Sequence, residues 1–93
     1  MRQTGALMPY NPSEVYSLAR AAERAGKAAN TIKNWCEQHG IGRKIGGRWE
    51  VSKVALEMFL EGNMCALSSY LSGDREHGDV AVYFHRLGIP LKK

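Results

Sequence analysis

The sequence predicts a mainly α-helical fold carrying one small β-hairpin. Three observations carry this. Apolar residues recur at three- and four-residue spacing through most of the chain. Gly46-Gly47 separates two short runs, a spacing that fits a two-residue hairpin turn. Gly26, Gly40, Gly62 and Gly88 follow the periodic runs, where helices stop. The 93 residues suffice for one compact domain and exclude a multi-domain enzyme. Apolar residues make up 44% and charged residues 24%, as in soluble globular chains. No apolar run approaches the roughly 20 residues of a membrane span. Met1 to Tyr10 lacks the apolar core of a secretory leader. Cys36 and Cys65 are too few for a disulfide scaffold and read as a reduced, cytoplasmic pair.

Each element has its own local reason. Residues 1–10 show no periodicity and read as a flexible arm. Two helix starts compete next. Asn11 can cap with Pro12 at the first helical position and Glu14 reaching back, or Val15-Tyr16 is a short strand and Ser17 caps a helix from Leu18. Both end at Gly26. The second helix places Ile32, Trp35, Cys36 and His39 on one face. Asn30, Lys33, Asn34, Glu37 and Gln38 lie on the other, and Gly40 ends it. Around Gly46-Gly47, Ile45 and Trp49 are expected to pack inward while Lys44 and Arg48 flank the tip. Ser52 can cap a third helix whose apolar side is Val54, Leu56, Phe59 and Leu60. Residues 63–93 read as a C-terminal helical extension. Met64, Leu67 and Leu71 supply one stripe, and 73–78 a charged loop. Asp79 caps a last helix with Val80, Tyr83, Phe84 and Leu87 on one face. That stripe either packs on the domain's own helices or supports contacts between protomers. Helix, tight turn, helix, hairpin, helix over residues 11–62 is the order of a winged helix-turn-helix.

The positive charge is unevenly placed. From Lys27 to Lys53 six bases (Lys27, Lys33, Arg43, Lys44, Arg48, Lys53) stand against Glu37 and Glu50, leaving +4, the net charge of the whole chain. Elsewhere seven bases match seven acids. Such a patch suits a polyanion, most often nucleic acid.

Residues 16–61 resemble the small excisionase-type DNA-binding domains and the related mercury-resistance (MerR-type) regulator domains. The resemblance runs through Tyr16-Ser17-Leu18-Ala19-Arg20-Ala21-Ala22 and on to Gly26. Thr31-Ile32-Lys33-Asn34-Trp35, Ile45-Gly46-Gly47-Arg48-Trp49 and Leu56-Glu57-Met58-Phe59-Leu60 continue it. The alanine pair, the threonine opening the recognition helix and the basic-aromatic pair after the wing turn all fit. One departure stands out: these families often place a capping serine where this chain has Ala28. Asn30 is the nearest side chain able to cap, which would start the recognition helix a turn late.

The candidate site follows from groove chemistry. A helix in the major groove offers side chains to base edges while flanking groups hold phosphates. Asn30, Thr31, Lys33 and Asn34 lie on the outward side of the first turns. Asn pairs bidentately with adenine, and Lys reaches guanine acceptors. Arg43, Lys44 and Arg48 surround the glycine tip of a narrow ribbon, a shape that enters a minor groove. The resemblance implies this use of the wing. Trp35 and Trp49 read as core residues rather than stacking platforms. Cys36-x-x-His39 is half of a zinc pattern without clear completion by Cys65, His77 or His85, so no metal or cofactor is expected. No catalytic constellation is present, so an enzyme is not expected.

The functional expectation is a sequence-specific double-stranded DNA-binding protein. In the first reading it is an excisionase-like recombination directionality factor of a phage or integrative element. It binds repeated sites cooperatively, self-associates on DNA, bends it and favours excision by a partner integrase, with transcription control as a second role. The expected location is cytoplasmic and nucleoid-associated. The alternatives are a MerR-like stand-alone transcription regulator and the DNA-recognition part of a small terminase-like packaging protein. A further class is a protein-interaction adaptor on a winged scaffold.

Overall fold

Ser17 decides where the first helix begins. Its backbone is extended, and its hydroxyl accepts from the Arg20 amide at 3.2 Å. Strand β1 (Val15–Ser17) therefore runs directly into helix α1 (Leu18–Ala25). Of the two competing starts, the later one forms. Pro12–Glu14 make only a single 3-10 turn, so Glu14 does not serve a capping box. Instead it is fully buried, and the Tyr70 hydroxyl donates to its carboxylate. These elements belong to a computed structural model that describes residues 12–73 and 78–89. Asn11, the arm at 1–10, His77 and most of the charged loop lie outside the described residues.

Helix α2 (Ala29–His39) follows a short turn after Gly26. Its start corrects the sequence expectation. Ala28 takes the capping position with extended backbone and no side-chain bond. The amides of Thr31 and Ile32 reach the Ala28 carbonyl at 3.0 and 3.2 Å. A backbone carbonyl alone closes the first turn, so Asn30 lies inside the helix rather than capping it.

Strands β2 (Gly42–Ile45) and β3 (Arg48–Ser52) form the hairpin, and the sheet order is β1-β3-β2, antiparallel throughout. Gly46 and Gly47 have φ of 58° and 82°, the left-handed pair that a tight hairpin requires and that other residues rarely adopt. The register pairs Lys44 with Trp49 and Ile45 with Arg48. Residues directly opposite share a face, so Ile45 and Trp49 point to opposite sides of the ribbon. Both are half-buried and pack against the core, each from its own side.

Helix α3 (Lys53–Glu61) begins where Ser52 accepts from the Ala55 amide at 3.1 Å. The Ser52 hydroxyl lies 2.9 Å from the Tyr70 oxygen. Since Tyr70 donates to Glu14, Ser52 donates to Tyr70. One buried chain of hydroxyls thus ties the 3-10 turn, the sheet end and the α3 cap to helix α4 (Met64–Leu71). The inner side of α3 is Val54, Ala55, Leu56 and Met58. Leu60, expected there, is exposed. Met64 of α4 is exposed as well, while Leu67 is buried.

Helix α5 (Gly78–Arg86) starts two residues earlier than an Asp79 cap implies, so Asp79 sits in its first turn rather than at its cap. A carboxylate there still faces the positive end of the helix dipole. Val80, Tyr83 and Phe84 are buried in the chain's own core. The stripe is therefore spent inside the chain rather than left for another protomer. Tyr83 donates to Glu61 at 2.7 Å and accepts from the Asn63 amide group at 3.3 Å. Both Arg86 terminal nitrogens reach Glu61 at 2.8 Å.

Candidate nucleic-acid interface

The buried side of α2 fixes where its polar side looks. Ile32 and Cys36 are enclosed in the core. Trp35 and His39 both pack on the Phe59 ring, with centroids 4.8 and 4.7 Å away. Trp35 is therefore a packing residue. So is Trp49, half-buried against the same core. With that face inside, Asn30 and Asn34 are exposed, and Thr31 and Lys33 are half-buried on the flanks. Lys33 stands 4.0 Å from Glu37, one turn on. Such an exposed pair is worth well under about 1 kcal/mol and leaves both groups exchangeable.

The ribbon adjoins this helix at its root. A Cβ placed on Gly42 would lie 2.8 Å from the Cys36 sulfur. From there the strand rises about 3.3 Å per residue, so the glycine tip stands roughly 13 Å further out. Lys44 and Arg48 are exposed near the tip, and Arg43 is half-buried. The register sets Arg43, opposite Glu50, on the same face as Arg48, with Lys44 on the other. The wing thus presents cations on both of its faces. Lys27 is exposed just after α1, and Lys53 lies over the Tyr16 ring at 5.3 Å from its centroid. Of the seven predicted site residues, four share α2 and three share the ribbon.

Sequence reasoning missed two features. Arg24 pairs with the buried Glu57 at 2.7 Å, pinning α1 to α3 across 33 residues of sequence. No local spacing signals such a pair. The second is Glu37, which the spacing places on the outward face with Asn30 and Asn34 but which was not counted among the candidate site residues.

Cys36-x-x-His39 is a packing pair. The Cys36 thiol is buried under Gly42, and burial, with the Glu37 carboxylate adding to it, pushes its pKa up to about 11. His39 rests on Phe59. Among the described residues no three His, Cys, Asp or Glu side chains gather to hold a metal. Cys65 is exposed and both thiols are free. At pH 8 an alkylating reagent is expected to label the native chain once, at Cys65. A second label on Cys36 should appear only on unfolding, and peptide mass spectrometry distinguishes the two. The raised Cys36 pKa also has a definite linkage sign. The unfolded thiol loses its proton first, so this residue's contribution to stability falls as pH rises from about 9 toward about 11.

Two helices set across a tight turn, the second with an outward polar face, and then a cationic ribbon and a third helix, define a winged helix-turn-helix. The chain belongs to the helix-turn-helix domain family, whose model matches residues 15–64. That family contains excisionase-like DNA-binding domains. No curated protein and no solved structure matches the chain. The domain implies DNA binding, and domains of this kind are typically non-enzymatic. Among the described residues no helix is long and apolar enough to cross a membrane.

Proposed function

We propose that residues 11–62 are a sequence-specific double-stranded DNA-binding unit of an excisionase-like accessory factor, with 63–93 as its C-terminal extension. Helix α2 enters the major groove. Asn30 and Asn34 meet base edges, and Thr31 and Lys33 meet the flanking backbone. The ribbon follows the adjacent minor groove through Arg43, Lys44 and Arg48. What supports this reading is that β2 packs on the buried side of α2 where Gly42 meets Cys36, so one packed unit carries both the cationic ribbon and the helix whose Asn30 and Asn34 are exposed.

The accessory role follows the family, which contains excisionase-like DNA-binding domains. A single small domain makes few contacts, so occupancy of repeated sites by several copies, beside a partner integrase, supplies the affinity one copy lacks. Insertion of a wing into the minor groove favours bending. In a circular-permutation gel assay the complex is expected to migrate more slowly when the site is central than when it is terminal. Uniform mobility would remove the excisionase-like role and leave DNA binding intact.

A further inference from the structure

The outward face of α2 contains an acid at its centre. At about 100° per residue, Ile32, Trp35, Cys36 and His39 span an arc of roughly 100°. Asn30, Asn34 and Glu37 fall within about 30° of the direction opposite its middle, and Lys33 and Thr31 lie about 70–90° to either side. The burial pattern agrees: Asn30, Asn34 and Glu37 are exposed, whereas Thr31 and Lys33 are half-buried. A helix lying in a groove points its central row at the groove floor and its flanks at the walls. Glu37 therefore belongs with the two asparagines, in the row that faces base edges. The row from Asn30 to Glu37 extends about 10 Å along the helix, or about three base steps.

A carboxylate in that row is at odds with the surrounding cationic surface. It repels the phosphates on both walls and weakens binding to any duplex that offers it no donor. The exocyclic N4 amine of cytosine is such a donor in the major groove, and a carboxylate accepts from it. Lys33, 4.0 Å away, offsets part of the repulsion while remaining able to turn toward the backbone. We infer that Glu37 is a specificity-determining residue of this chain, accepting a hydrogen bond from a cytosine N4 amine in the major groove and rejecting duplexes that lack cytosine there. This rests on the DNA-binding reading above.

The test begins with the full chain and a site selected from a random duplex pool at low salt. Wild type, Glu37→Gln and Lys33→Ala are then titrated by fluorescence anisotropy. The targets are the selected duplex, its single base-pair replacements and an unrelated duplex. Wild type is expected to lose about tenfold when one particular C·G pair is replaced. Glu37→Gln should lose no more than about twofold at that pair and bind the unrelated duplex several-fold more tightly. Lys33→Ala should weaken binding to every duplex and keep the cytosine preference. If Glu37→Gln strengthens binding to all duplexes by one common factor, Glu37 acts only as a charge and the inference is overturned, with DNA binding untouched. If wild type selects no duplex at low salt, the DNA-binding reading fails and this inference fails with it. Since Glu37 is exposed, a thermal melt matching wild type keeps folding out of the comparison.

Discussion

Raising the salt from 50 to 200 mM is expected to weaken binding to the selected duplex by roughly 60- to 4000-fold per protomer. That range follows from a log–log slope of about −3 to −6, each neutralised phosphate contributing about −0.9. The cations available for it are Lys33 on the α2 flank, Arg43, Lys44 and Arg48 on the ribbon, and Lys27 and Lys53 nearby. Acids on the same surface keep the slope from being steeper: Glu37 stands 4.0 Å from Lys33, and Glu50 is the cross-strand partner of Arg43. The same titrations sort the candidate site by role. Arg48→Ala should make the slope shallower by about one and weaken all sequences nearly evenly. Asn34→Ala should leave the slope unchanged and cost about 1–3 kcal/mol only at its own base pair, relaxing the preference there. An unchanged affinity for Arg48→Ala at moderate salt would mean that the wing does not touch DNA.

The periodic stretches of the fold were the legible ones. The α2 faces, the glycine-glycine turn, the Ser52 cap and the buried stripe of α5 all stand as the residue spacing implies, because each is decided by neighbours within a few positions. What was missed depended on distant partners. Pro12 and Glu14 are sound helix-start residues, yet Tyr70, 56 positions away from Glu14, takes its carboxylate into the core, and pairing of Val15–Ser17 with β3 claims the next residues as strand. Leu60 has the spacing of an inner residue, but Ala55 and Met58 occupy that side. The inward packing of both Ile45 and Trp49 was legible as burial, and the register fixed by the two-residue turn adds that they reach the core from opposite sides of the ribbon. At the candidate site the residue types were readable from spacing alone. Their distance from the ribbon was not, because the contact that joins helix and ribbon is made by Gly42, which has no side chain to signal it.

Gly42 is therefore the position at which the site's architecture can be broken without touching a proposed DNA contact. A methyl group there would lie 2.5 Å from the Glu50 carbonyl oxygen, 2.8 Å from the Cys36 sulfur and 3.0 Å from the Val51 α-carbon. Two of these neighbours are backbone atoms of the paired strand and cannot swing aside. The third is held in a buried thiol. To admit the methyl, β2 must lift from β3 or the ribbon must part from α2. Overpacking of this kind costs about 1–3 kcal/mol, and more where backbone has to move. For a domain of this size Gly42→Ala is expected to lower Tm by about 10–20 °C in a calorimetric scan. Combining it with Cys36→Ala removes only the sulfur from the clash, so the double variant should recover a fraction of the loss, with a measurable coupling in the double-mutant cycle. DNA affinity should fall even at temperatures where Gly42→Ala remains folded, because the ribbon no longer stands beside α2. A melting temperature within about 2 °C of wild type would show that helix and ribbon are not pressed together at this point, and the combined surface on which the DNA-binding proposal rests would lose its support.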